Sequence, residues 1–490
     1  MLRTIRAFWH DQRGIALILV SVMLPAIIGF SLLAIDMSRV NNLHNDLQKG
    51  ADALSLATAG ELDGQSDSIV RGDRALATLV SNNYNFSTAL PPGPKALAAA
   101  GVTRRYLRSI PANDSLPIAA ANAITDEVAD ARLARYVEIT VTPVGFSAIF
   151  PASFLTGNSA NNGFNVSATS VAGFRTSVCD YTPVFICNPY EALPGGISLE
   201  MAANSQAYRR KQIKLRGDGF YGPGNFAFLA SPDGNGANAL EQSLARVKPV
   251  GCYAQDGVDT EPGQNSGPVK DGLNARFGLT STYVNSAGPA KNVRMGIKNV
   301  VCKNGEIKSF DWETTLSQGT GLNKDSCFPN CTTLDGGRSD AGMLGDGIWN
   351  PSTYWTYAHG TSSEPTLPSE LGTNPTRYEV YKYETQHPDR IADASANTET
   401  GTPACGMTPV TTVDRRILYG AIIDCNAVKA AGISLSGRQS DVPVRAFGSF
   451  FMTEPIKDGK DIYVELIDIT GRGGRGTLDN FLRDEAQLYR

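Results

Sequence analysis

Between Gly14 and Ile35 no residue carries a charge, and a helix of that length covers about 33 Å, the thickness of a hydrocarbon layer. Nothing else in the chain constrains its folding so strongly, because such a run must be buried in a core or in lipid. Arg3, Arg6 and Arg13 precede it against one acid, Asp11, while Asp36 and Arg39 open the far side. The positive-inside rule therefore predicts a cytoplasmic segment over 1–13, a transmembrane helix over 14–35 and an exported remainder. Pro25 falls in mid-run, where a transmembrane helix tolerates a kink. The run exceeds the roughly 7 to 15 apolar residues of a signal peptide, and Leu33-Ala34-Ile35-Asp36 lacks the small-x-small pattern of a cleavage site. An uncleaved single-pass anchor in contact with membrane lipid is expected.

The cysteines agree with export. Cys179, Cys187, Cys252, Cys302, Cys327, Cys331, Cys405 and Cys425 all lie beyond the anchor, and an even set in an oxidising compartment predicts disulfides, with the pairing left open. A metal knuckle would need paired C-x-x-C, and Cys327-Phe-Pro-Asn-Cys331 has neither a partner nor a nearby His. No cofactor or metal is expected. With 44 basic against 48 acidic residues the net charge is -4, which excludes the basic footprint of a nucleic-acid binder.

Past the anchor, Val40, Leu43, Leu47, Ala51, Leu54 and Thr58 recur at three-four spacing, so the helix should continue to about residue 59. Such a stripe packs on the chain's own core more often than on a partner helix, although Ala51, Ala53, Ala57 and Ala59 would also suit a helix-mediated oligomer. A short helix is expected over Arg71 to Leu79, and strands over Arg104 to Ser109, Val137 to Thr142 and Phe164 to Thr169, the last two alternating with period two. The predicted fold class is α+β: an anchor continuing into a long helix packed on a small antiparallel sheet (36–175), then a disulfide-containing mixed α/β or β-rich domain (176–490). In that second domain, strands are expected over Arg416 to Ile423, Val444 to Phe451 and Ile462 to Ile469. An amphipathic helix, N-capped by Thr477, is expected over Leu478 to Tyr489.

Signals for catalysis are weak. His359 and His387 are the only histidines beyond the first helix, neither accompanies a nucleophile elbow, and both are expected to be structural or solvated. Gly471-x-Gly473-x-x-Gly476 leaves no room for a second strand and an acidic ribose ligand, so it is expected to be a turn. The acidic loops at Asp233-Gly-Asn235-Gly and Asp346-Gly347 lack an EF-hand's glycine and glutamate, and Asp393-Ala-Ser395-Ala-Asn397 departs from an adhesive metal motif. Arg209-Arg210-Lys211 is expected to be a solvated face. A membrane-anchored periplasmic enzyme and an adhesive surface module remain the alternatives.

Arg13-Gly14-x-Ala16, the apolar run with Pro25, Asp36-x-x-Arg39, and Leu47-Gln48-x-x-Ala51-Asp52-Ala53 together resemble the N-terminus of TadG-like Flp pilus-assembly proteins of the tight-adherence system. Later blocks, including Phe185-Ile186-Cys187-Asn188-Pro189, Gly272-Leu273-Asn274-Ala275-Arg276-Phe277 and Arg377-Tyr378-Glu379-Val380-Tyr381, resemble the longer members. The resemblance implies a non-enzymatic structural component at the bacterial inner membrane, its bulk periplasmic. Its implied partners are other Flp assembly proteins or minor pilins. Related minor pilins carry a glutamate five residues into the mature helix. Counting from Ile15, that place here is Leu19, which argues against processing as an ordinary pilin.

Overall fold

A computed structural model describes residues 15–63, 66–80, 83–84, 95–96, 101–111, 113, 115–142, 146–150, 163–191, 197–216, 225–255, 257–263, 265–279, 288–313, 321–328, 344–393, 399–411, 414–457, 461–471 and 473–490. The chain divides into two compact units, one formed by Met1–Arg175 with Asp484–Arg490 and the other by Thr176–Arg483.

Unit 1 is organised by one helix, α1 (Ile15–Ala59), which runs without a break through Pro25. Its first half is exposed and apolar: Leu19, Val20, Val22, Met23, Leu24, Ile27, Ile28 and Phe30 face outward, and the helix is long and apolar enough to cross a membrane. Its second half is amphipathic. Leu43, Leu47, Ala51 and Leu54 are buried together with Thr58, as their spacing predicts, while Asn41, Asn42 and Ala53 stay exposed. The stripe lies on an antiparallel sheet of β1 (Val102–Leu107), β2 (Tyr136–Val141) and β3 (Ala168–Cys179), in the order β3-β2-β1. Val137, Ile139 and Val141 of β2 point into this core and Glu138 and Thr140 away from it, the pattern of a half-buried strand. Helix α2 (Ser68–Leu79) packs on α1, and Gly72 is required there, since a Cβ would stand 2.8 Å from the Tyr106 hydroxyl.

The expected C-terminal helix is a strand. Residues Leu482–Leu488 extend along β3, and the backbone N–H groups of Val171 and Tyr489 exchange hydrogen bonds with Arg490 and Val171. The sheet edge offers a ladder that an isolated amphipathic pattern does not reveal, and Ala486 joins the unit 1 core. Thr477 caps nothing; its hydroxyl donates to Asp468 at 2.6 Å. The strand expected over Phe164 to Thr169 is likewise displaced, with β3 starting at Ala168 after the short pair at Gly163–Phe164.

Unit 2 is built on a five-stranded sheet of β4 (Phe185–Cys187), β5 (Gln212–Arg216), β6 (Ile417–Ile423), β7 (Ala446–Met452) and β8 (Ile462–Ile469), ordered β4-β6-β7-β8-β5. β6-β7-β8 form an antiparallel meander at the centre. The two earlier strands close its edges, β4 running parallel to β6. β7 and β8 are buried at every position, including Ser449 in β7 and Glu465 and Asp468 in β8, so their mostly apolar sequences carry polar and charged groups that need partners inside the fold. One face meets α3 (Ala237–Ala245) and α4 (Ser266–Asn274) through Leu240, Leu244, Val269 and Leu273. The other meets α5 (Pro351–His359) and α6 (Arg377–Gln386) through Trp355, Val380 and Tyr381, which gather with Phe451 and Ile467. α6 begins with a full capping box between Thr376 and Glu379.

Three disulfides, Cys179–Cys252, Cys187–Cys425 and Cys302–Cys405, staple unit 2. Cys327 is also disulfide-bonded, and Cys331 lies outside the described residues. Gly471-x-Gly473-x-x-Gly476 is a turn after β8, with Gly471 and Gly476 in the left-handed region at φ +84° and +80°. The basic run 209–211 is not solvated. Arg209 and Lys211 are buried, Arg209 donating to the Ala203 carbonyl and Arg210 to that of Pro375, while the Lys211 ammonium lies over the Tyr208 ring. Buried carbonyls left by short helices and loops take up these cations, which a run of like charge does not announce.

Candidate functional site

Two groups of polar residues stand apart from the apolar cores, one along α1 and one inside unit 2. On α1, Asp36 directly follows the uncharged stretch and is buried. Its Oδ1 accepts from Arg39 at 3.0 Å and its Oδ2 accepts from the backbone N–H of Phe150 at 2.6 Å. Burial alone would raise the Asp36 pKa. The amides of Phe150 and Ile149, with the Arg39 guanidinium, outweigh it and hold the carboxyl below its ordinary value. Further along, His44 Nδ1 lies 3.1 Å from the Ser167 carbonyl, Gln48 Nε2 donates to Asp52 and to the Thr169 carbonyl at 2.9 and 3.0 Å, and Ser55 pairs with Ser170. The helix is therefore bolted by polar contacts on one side and by apolar packing through Leu47 and Ala51 on the next. Arg13 and Gly14 lie outside the described residues, and Ala16 and Pro25 lie within the helix.

The second group centres on Glu384. His359 Nε2 lies 2.8 Å from Glu384 Oε1, the Tyr354 hydroxyl donates to the same oxygen at 2.7 Å, and Asn292 donates to Oε2 at 2.6 Å. Burial would raise this carboxyl, but the contacts with His359, Arg294 and Tyr354 hold it below its ordinary value. His359 Nδ1 lies 3.5 Å from Asp393 Oδ2, and neither atom has a hydrogen-bond partner among the described residues. All of His359 is buried, with Trp355 against its ring at 4.2 Å. The His387 Nδ1–H donates to the Tyr383 carbonyl at 2.8 Å, and the imidazole stacks on the Tyr383 ring. Among the described residues neither histidine adjoins a nucleophile with an open approach; His359 fastens α5 to α6, and His387 closes the end of α6.

Beside that group, Arg377 is fully buried between Asp325 and Glu465, donating to each at 2.7 Å. Arg276, Arg294, Arg415 and Arg416 are also buried, and their guanidinium groups donate mainly to backbone carbonyls. The sequence reading missed this set. Arg415-Arg416 immediately before an apolar strand was its one available signal, since a charged pair there must be exposed or have partners waiting. Asp233 serves a turn, accepting from Ser243 and Arg246, and Asp346 accepts from Ser326. No group of three or more His, Cys, Asp or Glu suited to a metal occurs among the described residues. Residues 394–398 of the Asp393-Ala-Ser395 motif lie outside them.

The α1 group coincides with a known family. Residues 14–61 match the Tad family model, "Putative Flp pilus-assembly TadE/G-like". The N-terminal segment is similar to a TadE/G-like domain. The match takes in the exposed half of α1, Asp36 and Arg39, the buried stripe and the end of the helix, and stops before α2. The Tad-like segment is thus a single structural element, part apolar rod and part sheet-packed helix. No curated protein and no solved structure matches the chain.

Proposed function

We propose that the chain is a membrane-anchored structural component of Flp pilus assembly, not an enzyme. α1 crosses the bacterial inner membrane once, with residues 1–13 cytoplasmic and the chain from residue 36 onward periplasmic. It holds the units where other tight-adherence assembly proteins or minor pilins can be engaged, with α1 available for a helix-mediated oligomer. The observation that carries this reading is the coincidence of the Tad match with the one helix, among the described residues, long and apolar enough to cross a membrane, its apolar half almost entirely exposed. Three arginines before that half and an Asp36–Arg39 pair after it support the orientation. The structural role is supported by the sealed positions of His359 and Glu384, which bind elements together where catalysis would require an open approach.

Reporter fusions after Arg490 and after Arg13 test the topology. A periplasm-active reporter should work only at the first site and a cytoplasm-active reporter only at the second; the reverse result overturns the anchor. A clean deletion should abolish Flp pili, restored by the full chain and also by a His359→Gln variant that folds. Normal piliation in the deletion strain removes the pilus role, and loss of function in a folded His359→Gln protein points back to an enzyme.

A further inference from the structure

The segment 148–150 leaves the unit 1 core, on which Ala148 still packs, and reaches α1. It climbs along α1 into the apolar stretch: Phe150 Cε2 lies 3.6 Å from the point where a Cβ on Gly29 would stand. Gly29 is about 10 Å along the helix from Asp36, toward the middle of the uncharged run. Gly29 and Leu32 are half-buried and Asp36 is buried, while their neighbours from Leu19 to Met37 are exposed, so the cover is confined to one strip.

Irregular backbone can enter an apolar layer only if its amides bring partners with them. Asp36 is that partner. Its carboxylate accepts the Phe150 N–H at 2.6 Å and is hydrogen-bonded by the Ile149 backbone as well, and Arg39 at 3.0 Å offsets its charge. With those donors satisfied, what the loop turns outward is apolar, the side chain of Ile149 being 50% exposed.

From this geometry we infer that the 148–150 loop is a lipid-facing wedge: Ile149 sits in the membrane interface beside α1, on the Asp36 side of the bilayer. The wedge rests on the reading that α1 spans the membrane. Lipid is the occupant because the loop's outer surface continues the exposed apolar surface of the helix, which itself requires lipid, and because the Ile149 and Phe150 N–H groups are taken up by Asp36 on α1. A second attachment of this kind would fix the tilt and rotation of the anchor relative to the sheet, which a single helix in lipid leaves free.

The test uses the full chain in native membranes, with a photoactivatable diazirine side chain placed at Ile149, at Ile27 in mid-helix, or at Val128, which is 86% exposed on a turn of unit 1. Irradiation should give lipid adducts at Ile149 and Ile27 and none at Val128. Adducts at Ile27 with none at Ile149, or with protein adducts only at Ile149, overturn the wedge and leave the span intact. Absence of lipid adducts at Ile27 overturns the span and the wedge with it. Equal labelling at Val128 also overturns the wedge, because the whole unit would then lie against lipid.

Discussion

Unit 1 and unit 2 solve the same problem by different chemistry. Unit 1 has no cysteine and is held by one long helix laid on a sheet, its interior made of Leu43, Leu47, Ala51, Val137, Ile139 and Val141. Unit 2 carries the disulfides and buries whole arginine side chains among backbone carbonyls and carboxylates. The first is stabilised by area removed from water, a non-directional gain that tolerates approximate fit. The second depends on groups that are costly to bury unless every partner is present. A change of one atom set should therefore damage unit 2 more than unit 1.

The sharpest way to break that contrast is Arg377→Leu. Removing the guanidinium leaves Asp325 and Glu465 buried without their shared donor, and loss of one partner of such a group typically costs about 3–5 kcal/mol. The buried Trp349 and Trp355 report on unit 2, so denaturant unfolding of the full chain in detergent, followed by tryptophan emission, should show a large drop in midpoint. An unchanged midpoint would mean that the ion group is dispensable.

Disulfide loss comes next. Cys187→Ala with Cys425→Ala opens a link of sequence separation 238, against 103 for Cys302–Cys405 and 73 for Cys179–Cys252. Losses of about 2–5 kcal/mol are typical, larger for longer closed loops in the chain-entropy account. Reductant should lower the unit 2 transition in that order of pairs and leave unit 1 untouched. A simultaneous collapse of unit 1, read by protease cutting between α1 and β2, would show that the two units do not respond separately.

Smaller again is a pair of changes on α1 itself. Ala51 is fully buried and Ala53 exposed, two positions apart on the same helix. Ala51→Leu should overpack the sheet contact at about 1–3 kcal/mol, whereas Ala53→Leu should stay within about 0.5 kcal/mol. If Ala53→Leu nevertheless abolishes piliation at normal abundance, its face meets a partner; if both variants are equally unstable, the stripe is misassigned.

The same contrast governs what the sequence made legible. The three-four stripe from Val40 to Thr58 and the alternation at Val137 to Thr142 are repeats of burial along a regular element, so periodicity alone finds them. The strand expected over Ile462 to Ile469 is found at those bounds because apolar side chains dominate the segment, with Glu465 and Asp468 as buried interruptions. The strand at Leu482–Leu488 was not legible, since Leu482, Ala486 and Tyr489 line one helical face as well as Leu482, Ala486 and Leu488 line one strand face, and the deciding factor is the open edge of β3. Nor were the buried positions of Arg209, Arg294 and Arg377, because their partners are carbonyls and carboxylates brought in from distant segments, such as Glu399 to Arg294 and Asp325 to Arg377. The contact of Phe150 with the Gly29 strip escaped for the same reason.

One further effect concerns protons and again separates the units. Burial pushes the Glu465 carboxyl up to about 7, and the negative charge of Asp325 adds to that, although Arg377 and the Tyr378 N–H pull it down. The folded value exceeds the ordinary 4.5, so the folded protein holds this proton more tightly than the unfolded chain does. The stabilisation from this group is complete below about pH 4.5 and is lost as the pH rises through about 7. Glu465→Gln mimics the protonated form and keeps a side-chain acceptor. It should flatten the decline in unit 2 stability across that window, with little difference from the parent near pH 5 and a gain near pH 8. Unfolding midpoints of both proteins at a series of pH values supply the check. Parallel curves would mean that Glu465 stays ionised throughout, with Arg377 alone setting its charge.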